Sequence, residues 1–214
     1  HETNAFIDRG HMAPRRFFSN YARLIRDPRF LQPSLMVGFG IGTIYTLASI
    51  LPFVIIDRVG LSPTQFGFGM MVQSGSFISG TILTSQLLRR MDASRLLPYS
   101  MCGLLLASLA MVIEATSGDP SFLGTMLPVG LYAFSLAISL PGPTTAALQG
   151  FPQIAGAASA LMGFLQFGAG LLGSLVAAAI GDPLLSIAIV PPCMAAIAVG
   201  SYMVFGRLAA ARTA

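Results

Sequence analysis

Six long apolar stretches divide the chain, and polar residues gather in the short connectors between them. They lie near Leu31–Ile56, Thr64–Leu88, Leu96–Ala115, Phe122–Leu148, Gln153–Ile180 and Leu184–Phe205. Each is long enough for the roughly 20 residues that an α-helix needs to cross a hydrocarbon core. The connectors are rich in turn formers: Gly60-Leu61-Ser62-Pro63, Arg89 to Arg95, Ser117-Gly118-Asp119-Pro120, Gly150-Phe151-Pro152 and Gly181-Asp182-Pro183. This pattern predicts an all-α membrane protein with six transmembrane helices. Ahead of the first span, residues 1–30 are polar and arginine-rich. There Phe17, Phe18, Tyr21, Leu24 and Ile25 fall on one helical face, with Arg15, Arg16, Ser19, Arg23 and Arg26 on the other. That is the pattern of a helix lying in the membrane interface. Asp27-Pro28 is expected to end it, because the residue before a proline is pushed out of the α region. The expected plan is a linker over residues 1–30, a six-helix bundle over 31–206 and a short tail over 207–214.

Composition agrees. Hydrophobic residues make up 54% of the chain and charged ones 9%, against about 25% charged in soluble domains. All 12 basic residues are arginines, and their placement orients the bundle. Arg9, Arg15, Arg16, Arg23, Arg26 and Arg29 precede the first span; Arg89, Arg90 and Arg95 separate the second from the third; Arg207 and Arg212 follow the sixth. With six spans these all fall on one side, and the other side holds Arg58 with Asp57, Asp119 and Asp182. The positive-inside rule then places both termini of the segment in the cytoplasm. The net charge of +4 is therefore a matter of topology, with no nucleic acid implied. Cys102 and Cys193 lie in apolar runs without metal-ligand neighbours and read as small buried hydrophobes.

The two halves of the bundle echo each other. Leu47-Ala48-Ser49-Ile50-Leu51-Pro52 in the first span resembles Leu136-Ala137-Ile138-Ser139-Leu140-Pro141 in the fourth. Gln73-x-Gly75-x4-Gly80 in the second matches Gln166-x-Gly168-x4-Gly173 in the fifth. The shared offset of about 90 residues gives a 3+3 repeat whose second copy must be inverted in the membrane, as in secondary transporters. Small residues Gly75, Gly80, Gly156, Gly163, Gly168 and Gly173 are expected to serve close helix packing. The same holds for Gly38-x-Gly40-x-Gly42, which lies in an apolar span rather than between a strand and a helix.

No catalytic or metal-binding constellation is present, since His1 and His11 both sit in the amino-terminal stretch. The chain does not read as an enzyme. Uncharged polar and aromatic residues within spans are the candidates for a substrate cavity: Tyr45, Thr46 and Ser49 in the first, and Gln73 and Phe77 in the second. Tyr132 and Ser135 in the fourth and Gln166 in the fifth complete the set. If the repeat holds, Gln73 and Gln166 both face the cavity. Glu114, at the edge of the third span, is the acidic residue closest to the bilayer interior and is expected to be interfacial. Pro52 and Pro141, at corresponding repeat positions, are expected to kink or end their helices.

These residues carry a resemblance. Tyr21-Ala-Arg-Leu-Ile-Arg-Asp-Pro-Arg-Phe30, Ser49-Ile-Leu-Pro52-Phe53 and Leu61-Ser-Pro63-Thr-Gln-Phe66-Gly67 resemble the carboxy-terminal half of a major facilitator superfamily transporter. So does Phe151-Pro152 with Ala155-Gly156-Ala-Ala-Ser159-Ala160-Leu161-Met-Gly163, the most specific of the four. The branch they resemble is the bicyclomycin-resistance (Bcr/CflA) group of drug:proton antiporters. His1-Glu2-Thr3 resembles the end of the stretch that follows the family's sixth span, and Arg89-Arg90-Met91-Asp92 a degenerate copy of its charged loop. The resemblance implies export of amphipathic small molecules across a bacterial inner membrane, driven by a proton gradient without a bound cofactor. It also implies a missing amino-terminal six-helix half, in the same polypeptide or in trans, carrying the proton-coupling residues. Rival readings are a transporter for one specific metabolite and a six-span assembly subunit that transports nothing.

Overall fold

The computed structural model describes residues 14–211, with side chains for residues 19–204. Among them no strand occurs. Eight α-helices follow one another: α1 Pro14–Arg26, α2 Pro28–Pro52, α3 Pro63–Leu87, α4 Ala93–Thr116, α5 Phe122–Ser139, α6 Pro141–Gln149, α7 Ala155–Ile180 and α8 Pro183–Ala211. Residues 1–13 and 212–214, with the side chains of Arg15, Arg16, Phe17, Phe18 and Arg207, lie outside what is described.

Helix starts are written into the connectors. Asp27 accepts from the Arg29 N–H at 2.9 Å, and Ser62 forms a reciprocal capping box with Gln65. The Asp182 carboxylate accepts from the Leu185 N–H at 2.9 Å. Each of these three caps is followed by proline, whose missing N–H costs nothing at the first helical position. Gly60, Gly118 and Gly181 take left-handed backbone conformations in the turns before α3, α5 and α8. The expectation at Asp27-Pro28 holds: α1 stops at Arg26 and α2 starts at Pro28.

The two repeat-related prolines behave differently. Pro141 separates α5 from α6, with Leu140 at the joint. At Pro52 the α-helix ends but the chain stays helical. The chain continues as a π-helical turn over Phe53–Arg58, and the Val59 N–H reaches back to the Val54 carbonyl at 2.9 Å. That wider turn keeps the following backbone groups paired past a residue that cannot donate.

Five stretches are long and apolar enough to cross a membrane: Pro28–Arg58, Ala93–Thr116, Phe122–Gln149, Pro152–Ile180 and Pro183–Val204. α3 is not among them although it has 25 residues. Serines, threonines and glutamines are spread through it from Thr64 to Gln86. The expected all-helical, multi-pass architecture is found, while the count of six spans is met by composition only in five.

α2 packs mainly on α7 and α8, α5 mainly on α3 and α4, and α4 on α8. α2 and α5 scarcely touch each other. The larger core joins Leu47, Leu51 and Val54 of α2 and its π turn to Leu104 and Met111 of α4, Met126 and Tyr132 of α5, and Val190 and Met194 of α8. A second cluster gathers Leu24, Phe30, Ala147, Phe151 and Leu161, with the Phe30 and Phe151 rings edge to face at 5.9 Å. Leu24 thereby docks α1 on the bundle. Lipid tails are as apolar as leucine, so tight packing rather than hydrophobic burial must hold these helices together.

Glycine supplies that tightness at some of the expected positions and not at others. A Cβ on Gly80 would lie 2.6 Å from the Phe134 carbonyl oxygen of α5, and one on Gly173 would run into Thr46 of α2. Gly42 meets Ala169 in the same way, at 2.7 Å. Around Gly75, Gly156, Gly163 and Gly168, by contrast, nothing lies within 4 Å. The packing role expected of these four is not found within the bundle. Helix geometry explains Gly75 and Gly168: at about 100° per residue, five residues separate Gly75 from Gly80, and Gly168 from Gly173, by about 140°. Cys102 and Cys193 are likewise exposed on the bundle surface rather than buried. Apolar runs without charge can face lipid as readily as core.

Candidate functional site

Ile41, Tyr45 and Ser49 of α2 and Phe53 of the π turn follow one another at one helical turn, and two concavities open beside this row. The first is a groove of about 400 Å³ between α2, α3 and α5. Tyr45, Gln73 and Phe77 line it together with Ile41, Ile44 and Leu136. Three of the residues singled out in the sequence are thus brought together from two helices. Tyr45 is 39% exposed, and its ring stacks flat on Phe167 of α7, centroids 5.1 Å apart and planes 4° apart. Gln73 is 7% exposed, and its Oε1 has no hydrogen-bond partner. No acidic or basic side chain lines the groove.

The second concavity, about 350 Å³, lies between the end of α2, the end of α7 and the start of α8. Ser49 and Ser174 face each other across it with their hydroxyls 2.9 Å apart, and Phe53 and Asp182 stand at its edge. Asp182 is paired with Arg58, which joins the π turn of α2 to the α7–α8 connector. Both partners are roughly half exposed, so the pair contributes at most about 1 kcal/mol. Thr46, one residue from Tyr45, is fully buried instead. Its hydroxyl lies 3.0 Å from the Gly42 carbonyl of its own helix and 3.3 Å from the Gly170 carbonyl of α7. It ties α2 to α7 and lines nothing.

Two expected cavity residues are elsewhere. Tyr132 is fully buried, its hydroxyl donating to the Gly40 carbonyl at 3.4 Å, so it closes the gap between α5 and α2. Ser135 is 4% exposed and sits against Gly103 of α4. The two share a helical face, as their spacing requires, but that face points into the bundle. α5 presents Ala133 and Leu136 to the groove in their place. Gln166 is half-buried on α7, one turn before Gly170, and is not among the groove-lining residues. Of the lining residues, Ile41, Ile44, Ser74, Ile78, Ala133 and Leu136 escaped the sequence reading. Aliphatic residues in an apolar span carry no signal of what they face; Ser74 adjoins Gln73 and could have been suspected.

Glu114 accepts hydrogen bonds from the Ser121 N–H at 2.7 Å and from the Ser121 hydroxyl at 3.0 Å. Ser121 in turn accepts from the Gly124 N–H at 3.0 Å, capping α5. The carboxylate therefore fastens the end of α4 to the start of α5, beside the positive end of the α5 dipole. Among the described residues there is no cluster of side chains able to hold a metal ion.

This arrangement of apolar helices around an open, uncharged groove defines a multi-pass membrane protein. Residues 2–174 match the model of the Major Facilitator Superfamily, and the chain belongs to that family of transporters. It is 27% identical over 158 residues to an uncharacterized MFS-type transporter of Bacillus subtilis, YdgK, covering 74% of this chain and 38% of that protein. It is 25% identical over 168 residues to a bicyclomycin resistance protein homolog of Haemophilus influenzae, covering 74% of this chain and 40% of that protein. The resemblance read from the sequence is thus upheld. The matched region spans about two-fifths of the length of these relatives.

Proposed function

We propose that the chain is the carboxy-terminal six-span half of a secondary transporter that exports amphipathic small molecules from a bacterium by proton antiport. In this reading α3 also crosses the membrane, as the second of six spans, its polar residues turned toward protein and the groove instead of lipid. Residues 1–30 are a cytoplasmic linker with an interfacial helix, residues 31–206 the bundle and residues 207–214 a cytoplasmic tail. Both termini of the segment lie on the cytoplasmic side of the inner membrane, and Arg58 and Asp182 lie outside.

Helix packing favours a 3+3 inverted repeat, although Gln166 does not join Gln73 at the groove as a residue-by-residue repeat requires. Exchanging α2 with α5, α3 with α7 and α4 with α8 leaves the main helix pairs unchanged: α2–α7 becomes α5–α3, α2–α8 becomes α5–α4, and α4–α8 maps onto itself. Close approaches follow the same exchange. Gly42 and Gly173 bring α2 and α7 close together, and Gly130 and Gly80 do the same for α5 and α3. In transporters built this way, one six-helix bundle rocks as a body against the other around a site near the bilayer midplane.

The observation that carries the functional reading is the groove itself. It joins two aromatic rings and one amide from α2 and α3 in an apolar wall with no charged group, which suits amphipathic and chemically varied substrates. The missing amino-terminal half supplies the opposite wall. α7 is the least buried of the five apolar spans and α3 has only Gly69, Gln73, Gly80 and Thr84 buried, so both flanks are available to that partner. No carboxylate lines the groove, so the residue that binds and releases the coupling proton belongs to the other half. Drug export as the task is favoured by the bicyclomycin resistance homolog among the relatives.

The test is expression of the full-length gene in a pump-deficient strain, with growth measured against a chemically broad set of toxins. Resistance to several unrelated amphipathic compounds is expected. Resistance confined to one charged metabolite would favour the specific-metabolite reading, and no resistance from a membrane-inserted product would overturn export.

A further inference from the structure

Among the described residues, three buried side chains keep a polar atom without a partner, Ser34, Gln73 and Thr125, and of these Gln73 lines the groove. Thr84, also buried on α3, donates to its own helix at the Gly80 carbonyl, and Ser139 of α5 donates to Leu136 in the same manner. Gln73 lies mid-helix, is 7% exposed, and keeps an Oε1 that nothing in the bundle pairs with. An unpaired buried amide oxygen lowers stability, and in a bilayer no bulk water is at hand to relieve it. A leucine would fill the same volume without that cost. Yet this amide belongs to the wall of the groove, one turn from Phe77 and across from Tyr45. An unmet hydrogen-bonding group and a groove of about 400 Å³ coincide at one residue.

We propose that Gln73 is the hydrogen-bonding anchor of the groove. It selects substrates whose docking end carries an aromatic ring beside a neutral amide or hydroxyl. This rests on the reading of the groove as a substrate wall, and it names the substrate class. A primary amide offers two N–H donors and a carbonyl acceptor. Its terminal torsion is soft, so it turns to meet either kind of partner. Around it, the Tyr45 hydroxyl and Ser74 are the other polar groups, and the remaining lining is Phe77 with aliphatic side chains. A full charge docked against this wall would meet no counter-charge. A flat ring finds two aromatic side chains in the lining, Tyr45, itself stacked on Phe167, and Phe77. A site whose polar group is left unpaired also rejects ligands lacking a partner more strongly than an apolar pocket rejects a small change of shape.

The experiment uses the full-length transporter in lipid nanodiscs and isothermal titration against empty nanodiscs. Three probes share one ring: 1-naphthamide, 1-isopropylnaphthalene, which replaces the amide with an apolar group of similar shape, and 1-naphthyltrimethylammonium. Wild type is expected to bind the amide about fivefold more tightly than either of the others. Gln73→Leu is expected to erase the preference for the amide over 1-isopropylnaphthalene and to raise the melting temperature of the ligand-free protein, because the unpaired oxygen is gone. Absence of an amide preference in wild type overturns the proposal. So does a Gln73→Leu variant that weakens all three probes alike or melts lower, since either marks a structural glutamine. Failure of the export reading is separate: it shows as no resistance from the full-length gene, whatever the amide preference.

Discussion

The Tyr45 ring lies flat against Phe167, planes 4° apart and centroids 5.1 Å apart, and it lines the groove together with Phe77 of α3. An offset aromatic pair of this kind contributes about 0.5–1.5 kcal/mol beyond its area. The stack also fixes where the groove wall stands, because Tyr45 is too exposed for the core to hold it. Tyr45→Ala is expected to reduce export of aromatic substrates about tenfold, while Tyr45→Phe, which keeps the ring, retains most of it. Resistance of a pump-deficient strain carrying each full-length variant reads the difference. Equal loss in both would assign the effect to the hydroxyl and not to the stack.

Gly80 and Gly173 sit where neighbouring backbone and side chains leave no room for a Cβ, and Gly163 faces open space. Gly80→Leu and Gly173→Leu are each expected to cost about 1–3 kcal/mol through overpacking. Gly163→Leu is expected to leave the bundle's own stability nearly unchanged. Thermal unfolding of the purified full-length protein distinguishes them.

Glu114 is held by Ser121 at the junction of α4 and α5 and lines neither the groove nor the cleft beside Ser49. Glu114→Gln keeps an acceptor for the Ser121 N–H and is expected to retain proton-coupled export in full. Glu114→Leu removes it and is expected to destabilise the junction by about 1–3 kcal/mol. A Glu114→Gln protein that folds, binds substrate and no longer responds to the proton gradient would assign the coupling role to this carboxylate.

Arg58 and Asp182 are paired across two connectors, and the proposed orientation places both outside the cell. In a background with Cys102→Ser and Cys193→Ser, Arg58→Cys is expected to react with a membrane-impermeant maleimide on intact cells. Arg90→Cys is expected to react only in inverted vesicles. The reverse pattern would turn the bundle over.

Where the long helices lie was legible because charge and turn formers cluster so sharply. The described helices begin and end within a few residues of the apolar stretches, from Pro28 of α2 to Ile180 of α7. The helical period also told correctly that Tyr132 and Ser135 share a face. It could not tell what lies across from that face, and in the bundle that is Gly40 and Gly103. Gln73 and Gln166 illustrate the same limit: one lines the groove and the other does not, although they occupy matching positions. At Pro52 the α-helix ends but the chain stays helical, which the sequence did not show. Whether a proline ends a helix depends on whether later groups can find other partners, and the π turn from Phe53 to Arg58 provides them.

The central claim is that this half forms one wall of a proton-driven export path. Uptake of 1-naphthamide into proteoliposomes holding the full-length protein, with a pH gradient imposed and then collapsed, tests it most directly. Accumulation that follows the gradient, stops with an uncoupler and falls in Tyr45→Ala is the predicted result. Movement independent of the gradient, or unchanged in Tyr45→Ala, would contradict it.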